Sequence, residues 1–257
     1  MTIDLKDGSN ISKGDEMQSR NIIVTGSSRG IGRAIAVKLA GPNDHVLVNY
    51  LHNQEAANET AKLVQAKGAK VTVLQADVRS EDDLKAMAKI FDSVDILVHN
   101  AAIGVMKDFR KIRRTQWDLT MESSLRPFWL LSKLVPLRQG ALVVGISSMG
   151  SQRYIEGYAA MGAAKAGMEA LTRQLAVELG SEQIRVNTIC GGLIQTDTLQ
   201  YLKNAAAMKD VANELTPLGR MGRPEDIADA VWLLTLPESY WINGQVIVTD
   251  GGLSARA

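Results

Sequence analysis

The stretch Asn21-Ile22-Ile23-Val24-Thr25-Gly26-Ser27-Ser28-Arg29-Gly30-Ile31-Gly32-Arg33-Ala34-Ile35-Ala36 decides the fold. A short β-branched run, Asn21–Thr25, reads as a strand buried on both faces. It meets a turn with three glycines, and helical spacing of apolar residues follows through Ala40. Glycines in such a turn let the backbone reverse sharply and approach a pyrophosphate, with the positive end of the following helix facing the charge. A glycine pattern alone also fits an ordinary tight strand–helix turn. Its place between a first strand and an amphipathic helix favours the binding reading.

Outward from this turn, apolar runs alternate with helical segments along the whole chain. Further strands are expected at His45–Tyr50, Lys70–Ala76, Val94–Asn100, Ala141–Ser147, Gln183–Ile189 and Gln245–Val248. Helices are expected at Gln54–Lys67, Glu81–Asp92, Tyr158–Leu179 and Pro224–Leu234. This alternation predicts a single-domain, Rossmann-type doubly wound α/β sheet of about seven parallel strands, with helices on both faces. Residues 1–19 are polar and read as a flexible tail, and 20–257 form the one domain.

Composition narrows the function. The chain has 257 residues, and 29 Lys+Arg against 28 Asp+Glu leave a net charge of +1, so no global field favours nucleic acid or a membrane surface. No apolar run approaches a membrane span or a signal peptide. Cys190 is the single cysteine and reads as a small core residue, which fits a reducing cytoplasm. His45, His52 and His99 are scattered without metal-ligand spacing, so no metal site is expected.

The second strand ends Val48-Asn49-Tyr50-Leu51-His52, without the acid that an NAD-specific site offers to the adenosine ribose. Arg29 inside the glycine turn is placed to pair with a 2′-phosphate. NADPH is therefore favoured over NADH.

Taken together, Thr25-Gly26 to Gly32, Asp77-Val78, Asn100-Ala101-Ala102, Ser147-Ser148, Lys165 and Asp250-Gly251-Gly252 resemble the short-chain dehydrogenase/reductase family across residues 20–257. Gly26, Ser28, Arg29, Gly30, Ile31 and Gly32 of the turn are the expected cofactor-binding residues there, and the resemblance implies that Asp77 and Val78 flank the adenine and that Asn100, Ala101 and Ala102 line the cofactor. It implies that Lys165 binds the nicotinamide ribose and that Gly191, Ile194 and Thr196 lie on the nicotinamide side. Ile146 to Tyr158 and Tyr158-x-x-Met161-x-x-x-Lys165 are most similar to the NADPH-dependent enoyl-acyl carrier protein reductases of type III.

In the commonest reductases of this pattern the tyrosine stands four residues before the lysine, where this chain has Met161. Tyr158 stands seven before it. On a helix these positions share a face within roughly 20° but lie about 10.5 Å apart along the axis, against about 6 Å for the shorter spacing. Reduction of a 2-enoyl thioester places hydride on C3 and charge on the thioester oxygen, several bonds away. A displaced donor suits that geometry, with Tyr158 on the enolate oxygen and Lys165 as cofactor anchor and positive charge. Ser148 stands where a carbonyl reductase of the family places its serine, and it is a further catalytic candidate. The family asparagine that holds a relay water is replaced by Ser124.

The expected activity is NADPH-dependent reduction of the carbon–carbon double bond of an acyl thioester carried by acyl carrier protein or coenzyme A. The alternatives are a 3-oxoacyl or other carbonyl reductase of the same family, and an inactive nucleotide-sensing protein. Lys107 to Arg114 carries five cations and one acid, and would dock an acidic carrier or coenzyme A phosphates unless it only solvates a loop. Ala205-Ala206-Ala207-Met208-Lys209 suits a lid helix. The apolar spacing Met161, Met168, Leu171, Leu175, Leu179 suits a helix that relatives pair between subunits, which implies a homotetramer by analogy.

Overall fold

A computed structural model of the chain describes residues 19–196 and 213–256. The polar tail (apart from Ser19), the proposed lid helix at 205–209 and Asp197 lie outside the described residues.

Seven parallel strands form one sheet in the order β3-β2-β1-β4-β5-β6-β7. They are β1 Asn21–Val24, β2 His45–Tyr50, β3 Lys70–Gln75, β4 Val94–His99, β5 Leu137–Ser148, β6 Arg185–Gly191 and β7 Val246–Thr249. The helices are α1 Gly30–Leu39, α2 Gln54–Gln65, α3 Glu81–Ala88, α4 Arg114–Ser124, α5 Arg126–Leu134, α6 Ala159–Glu178 and α7 Pro224–Leu233. The doubly wound reading holds. The strand order reverses between β1 and β4, and there the open edge of the sheet forms a crevice, as α/β sheets of this kind do.

Alternation within β1 shows why the strands read as continuous apolar runs. Ile22 and Val24 enter one core with Ile35, Leu39 and Val231, whereas Ile23 enters the other with Leu84, Leu97 and Phe128. Each face of a parallel sheet is roofed by helices, so both alternate sets must be apolar.

Several elements differ from expectation. β5 begins at Leu137 rather than Ala141, because its pairing with β4 is irregular: Val94 faces Leu137, then Ile96 faces Leu142. The exposed Gly140, at φ 83, lies within that irregularity. β6 starts at Arg185 because Gln183 takes a left-handed conformation at φ 60 and leaves the strand path. α4 and α5 were not among the expected helices. They are separated at Leu125 (φ −112, ψ −55), with Pro127 in the first turn of α5, a proline position that needs no N–H donor.

Candidate active site

At the carboxyl edge of β1 the turn closes on itself. Gly26 and Gly30 take left-handed backbone conformations, at φ 63 and 56. Gly32 is required for another reason: a Cβ there would sit 2.3 Å from the Gly26 carbonyl oxygen and 2.5 Å from Asn100 Nδ2. The turn is held from both neighbouring strands. Thr25 Oγ1 accepts from the backbone N–H groups of Asn100 and Ala101 at 3.1 and 3.0 Å, and Asn100 Nδ2 donates to the carbonyls of Thr25 and Gly26. From β2, Asn49 Oδ1 accepts from the Gly26 N–H at 2.9 Å, while Asn49 Nδ2 donates to the Ala76 carbonyl at 3.0 Å. Helix α1 begins without a side-chain cap and without an acid in its first turn, so its positive end is left for an anion.

A cavity of about 550 Å3 opens over this turn. Gly26, Ser28, Arg29, Gly30, Ile31, Gly32, Asp77, Val78, Asn100, Ala101, Ala102 and Thr196 all line it. Arg29 is exposed and has no ion-pair partner among the described residues. The β2 end is lined by Asn49, Tyr50, Leu51, His52 and Asn53, with no carboxylate in that segment. The Asp77 carboxylate is engaged by Arg79, whose guanidinium holds it below the usual carboxylate range. An extended crevice with a glycine floor, a free helix terminus and one unpaired guanidinium fits a phosphorylated dinucleotide.

Lys165, Gly191 and Ile194 do not line this cavity. Gly191 ends β6, and Ile194 is buried and bridges to Gly222. Lys165 on α6 is 5% exposed, and its Nζ donates to the Ile146 carbonyl at 2.6 Å. Burial brings the ammonium down to about 8, partly countered by the Cys190 thiol and the Glu169 carboxylate.

Tyr158 caps the start of α6 and is half-buried. Its ring packs so closely on Gly150 that a Cβ there would lie 2.3 Å from it. Burial raises its phenol above the ordinary value, and the facing Ser148 side chain acts the other way. A phenol in this state is a proton-bearing donor at neutral pH. Ser148 and Tyr158 therefore share one site. Met161 does not: its Sδ lies against Gly104, where a Cβ would come within 2.0 Å, and 4.0 Å from Ser124 Oγ. It fills space between α6 and α4.

Of two buried polar groups near Lys165, Glu169 escaped the sequence reading, and His99 was read only as one of three scattered histidines without metal-ligand spacing. Glu169, one turn further along α6, accepts from Ser147 Oγ at 2.6 Å, Ser151 Oγ at 2.5 Å and Gln152 Nε2 at 3.0 Å. It ties the helix to β5 and to the turn leading into Tyr158. His99 is fully buried between Thr25 Oγ1 and the Ser124 carbonyl, to which its Nε2 donates at 3.3 Å. Burial and the Lys165 charge hold it down at about 3, so it is neutral. Ser124 thus offers a carbonyl already in use, where the family asparagine was expected to serve a relay water. Asn49 was also missed, although a lone polar residue in the apolar run of β2 was a usable signal. Cys190 is buried with its thiol raised to about 11, as a core residue. Among the described residues there is no metal-ligand cluster, and no helix is long and apolar enough to cross a membrane.

Comparison with known proteins places this geometry in context. Residues 26–254 match the family model described as enoyl-(acyl carrier protein) reductase. The chain is 35% identical over 246 residues to 1-cyclohexenylcarbonyl-CoA reductase of Streptomyces collinus, covering 91% of this chain and 87% of the relative. It is also 35% identical over 245 residues to 3-oxoacyl-[acyl-carrier-protein] reductase of Staphylococcus epidermidis, covering 91% and 99%. A solved short-chain dehydrogenase/reductase of Serratia marcescens superposes with a TM-score of 0.86 at 28% identity, covering 92% of this chain and 98% of that one.

Proposed function

The chain belongs to the short-chain dehydrogenase/reductase family and is an oxidoreductase, and from that premise we propose that it reduces the carbon–carbon double bond of a 2-enoyl thioester with NADPH. One observation carries this reading: the proton-bearing phenol beside the lysine helix is Tyr158, seven residues from Lys165, while the four-residue position holds a methionine packed between helices. The names of the protein relatives do not all support it. The 3-oxoacyl reductase supports the carbonyl alternative, and relatives of that name weigh toward it. The Streptomyces relative is named for an unsaturated acyl thioester, which supports the enoyl reading.

A reduced nicotinamide supplies a hydride when bound. The residues of this chain do the rest. The turn Gly26–Gly32 and the α1 terminus hold the pyrophosphate, and Arg29 supports the choice of the 2′-phosphorylated cofactor. Tyr158 donates a hydrogen bond to the thioester oxygen as negative charge develops there, and a proton from solvent water taken up at C2 of the enolate completes the saturation. Lys165 places a buried positive charge on the same side, and Ser148 orients the phenol. The substrate carrier is acyl carrier protein or coenzyme A. A homotetramer is proposed on family analogy.

The test is NADPH oxidation with crotonyl and acetoacetyl thioesters, for wild type and Tyr158→Phe. Turnover on the crotonyl substrate alone, reduced about 100- to 1,000-fold in the variant, is expected of a lost hydrogen-bond donor to the developing oxyanion. Preferential turnover of acetoacetyl thioester makes the protein a carbonyl reductase, and NADPH binding without turnover of either makes it a nucleotide-binding protein.

A further inference from the structure

Resting on the thioester-reductase reading, we propose that a second cavity beside Tyr158 receives the phosphopantetheine arm of the substrate carrier, with Lys107 and Arg110 holding its phosphate. The cavity, about 530 Å3, lies between Lys107–Arg110 and Gly150–Tyr158, and it shares no lining residue with the cofactor crevice. Tyr158 lines this cavity and not the other. A substrate reaching the phenol from here leaves the dinucleotide crevice free.

The two banks are joined by a hydrogen bond from the Lys107 N–H to the Gly157 carbonyl, 2.8 Å. Gly157 sits at φ 72, and a Cβ there would come 3.1 Å from the Lys107 nitrogen, so glycine lets the banks meet. Charge on the rim is uneven. Lys107 and Arg110 are exposed, and neither has an ion-pair partner among the described residues. Arg110 instead stacks on the Phe109 ring, 4.5 Å from its centroid. Of the two acids in the lining, the Asp108 carboxylate accepts the backbone N–H of Arg110, and Glu156 belongs to the other bank. Arg153 donates to the Ser254 carbonyl. Arg114, by contrast, pairs with Asp118 and lies outside the cavity. The structure therefore narrows the basic run to two cations.

Two aromatic surfaces complete the site: Tyr154 is 90% exposed and Phe109 is 62% exposed. A pantetheine arm is an uncharged chain with apolar and amide segments, a thioester at one end and a phosphate at the other. Aromatic faces suit the chain, two unpaired cations suit the phosphate, and the phenol at the cavity edge suits the thioester.

The experiment compares binding of 4′-phosphopantetheine and pantetheine to the NADPH-loaded full chain, for wild type and a Lys107→Gln/Arg110→Gln double variant. We expect phosphopantetheine to bind about tenfold tighter in the wild type, consistent with charge-assisted contacts, and this preference to vanish in the variant. KM for crotonyl-coenzyme A should rise about tenfold, with NADPH affinity and the KM of crotonyl-N-acetylcysteamine unchanged. A parallel rise with crotonyl-acyl carrier protein assigns the site to the shared arm, and a rise with coenzyme A alone assigns it to that carrier. Equal binding of the two pantetheines in the wild type, or an unaltered preference in the variant, overturns the site. Failure of every thioester to turn over, with the phosphate preference intact, overturns the reaction reading and leaves the site standing.

Discussion

Lys165 shows how burial gives a single residue its chemistry. Its ammonium is removed from water and rests on one carbonyl, and it titrates at about 8. The sign follows from linkage. Between about 8 and the ordinary lysine value of about 10.4, the unfolded chain keeps a proton that the folded chain has released. Stability of the cofactor-free protein relative to Lys165→Met should therefore rise with pH through that window, read from parallel thermal melts. An equal pH slope in both proteins refutes the shifted titration. Tyr158 moves the opposite way for the same reason, because burial disfavours the anion of a phenol as it disfavours the cation of an amine.

At the scale of elements, α5 illustrates packing that spacing alone did not reveal. Its nine residues include Pro127 and the β-sheet-favouring Phe128 and Trp129, so local propensity is mixed. Phe128 is fully buried in the core that α5 forms with α3 and α6 against the sheet, and its ring lies 5.9 Å from that of His99. Phe128→Ala should cost about 3–5 kcal/mol in urea unfolding, from lost transfer plus a cavity. A loss below about 1 kcal/mol means that the site collapses around the gap. The helix ends shifted by one or two residues, within ordinary fraying. α3 is shorter by four residues, since Phe91 leaves the helix path to meet the His45 ring edge-on at 4.8 Å.

For the molecule as a whole, cofactor binding and folding are one equilibrium. A ligand bound only by the native state adds stability of about 2.7 kcal/mol at 100 times its Kd. If Arg29 recognises the 2′-phosphate, NADPH should raise Tm more than NADH at equal concentration, and Arg29→Ala should abolish the difference while sparing the NADH shift. Equal shifts for the two nucleotides in the wild type count against that role. The crevice itself is a product of the whole sheet, because the strand order reverses at β1 and β4 and the turn is held by β2 and β4 together.

The amino-acid sequence by itself determined the sheet and the glycine turn, since each rests on local periodicity or on short spacing, whereas Tyr158, expected inside the helix that carries Lys165, stands at its boundary because α6 begins at Ala159. Gly26, Gly30 and Gly32 were legible because a left-handed backbone or a close carbonyl excludes other residues whatever the surroundings. Only the tertiary structure decided the rest. Asn49 holds the turn from 23 residues away, Glu169 joins Ser147 across 22, and His99 meets Ser124 across 25. The same is true of the two cations beside Tyr158, which share a cavity because Gly157 lets two loops touch. These partners are brought together by strand order and helix packing, and no sequence window contains them. Burial, which sets the titration of Lys165, Tyr158 and Cys190, is likewise a property of the packed chain.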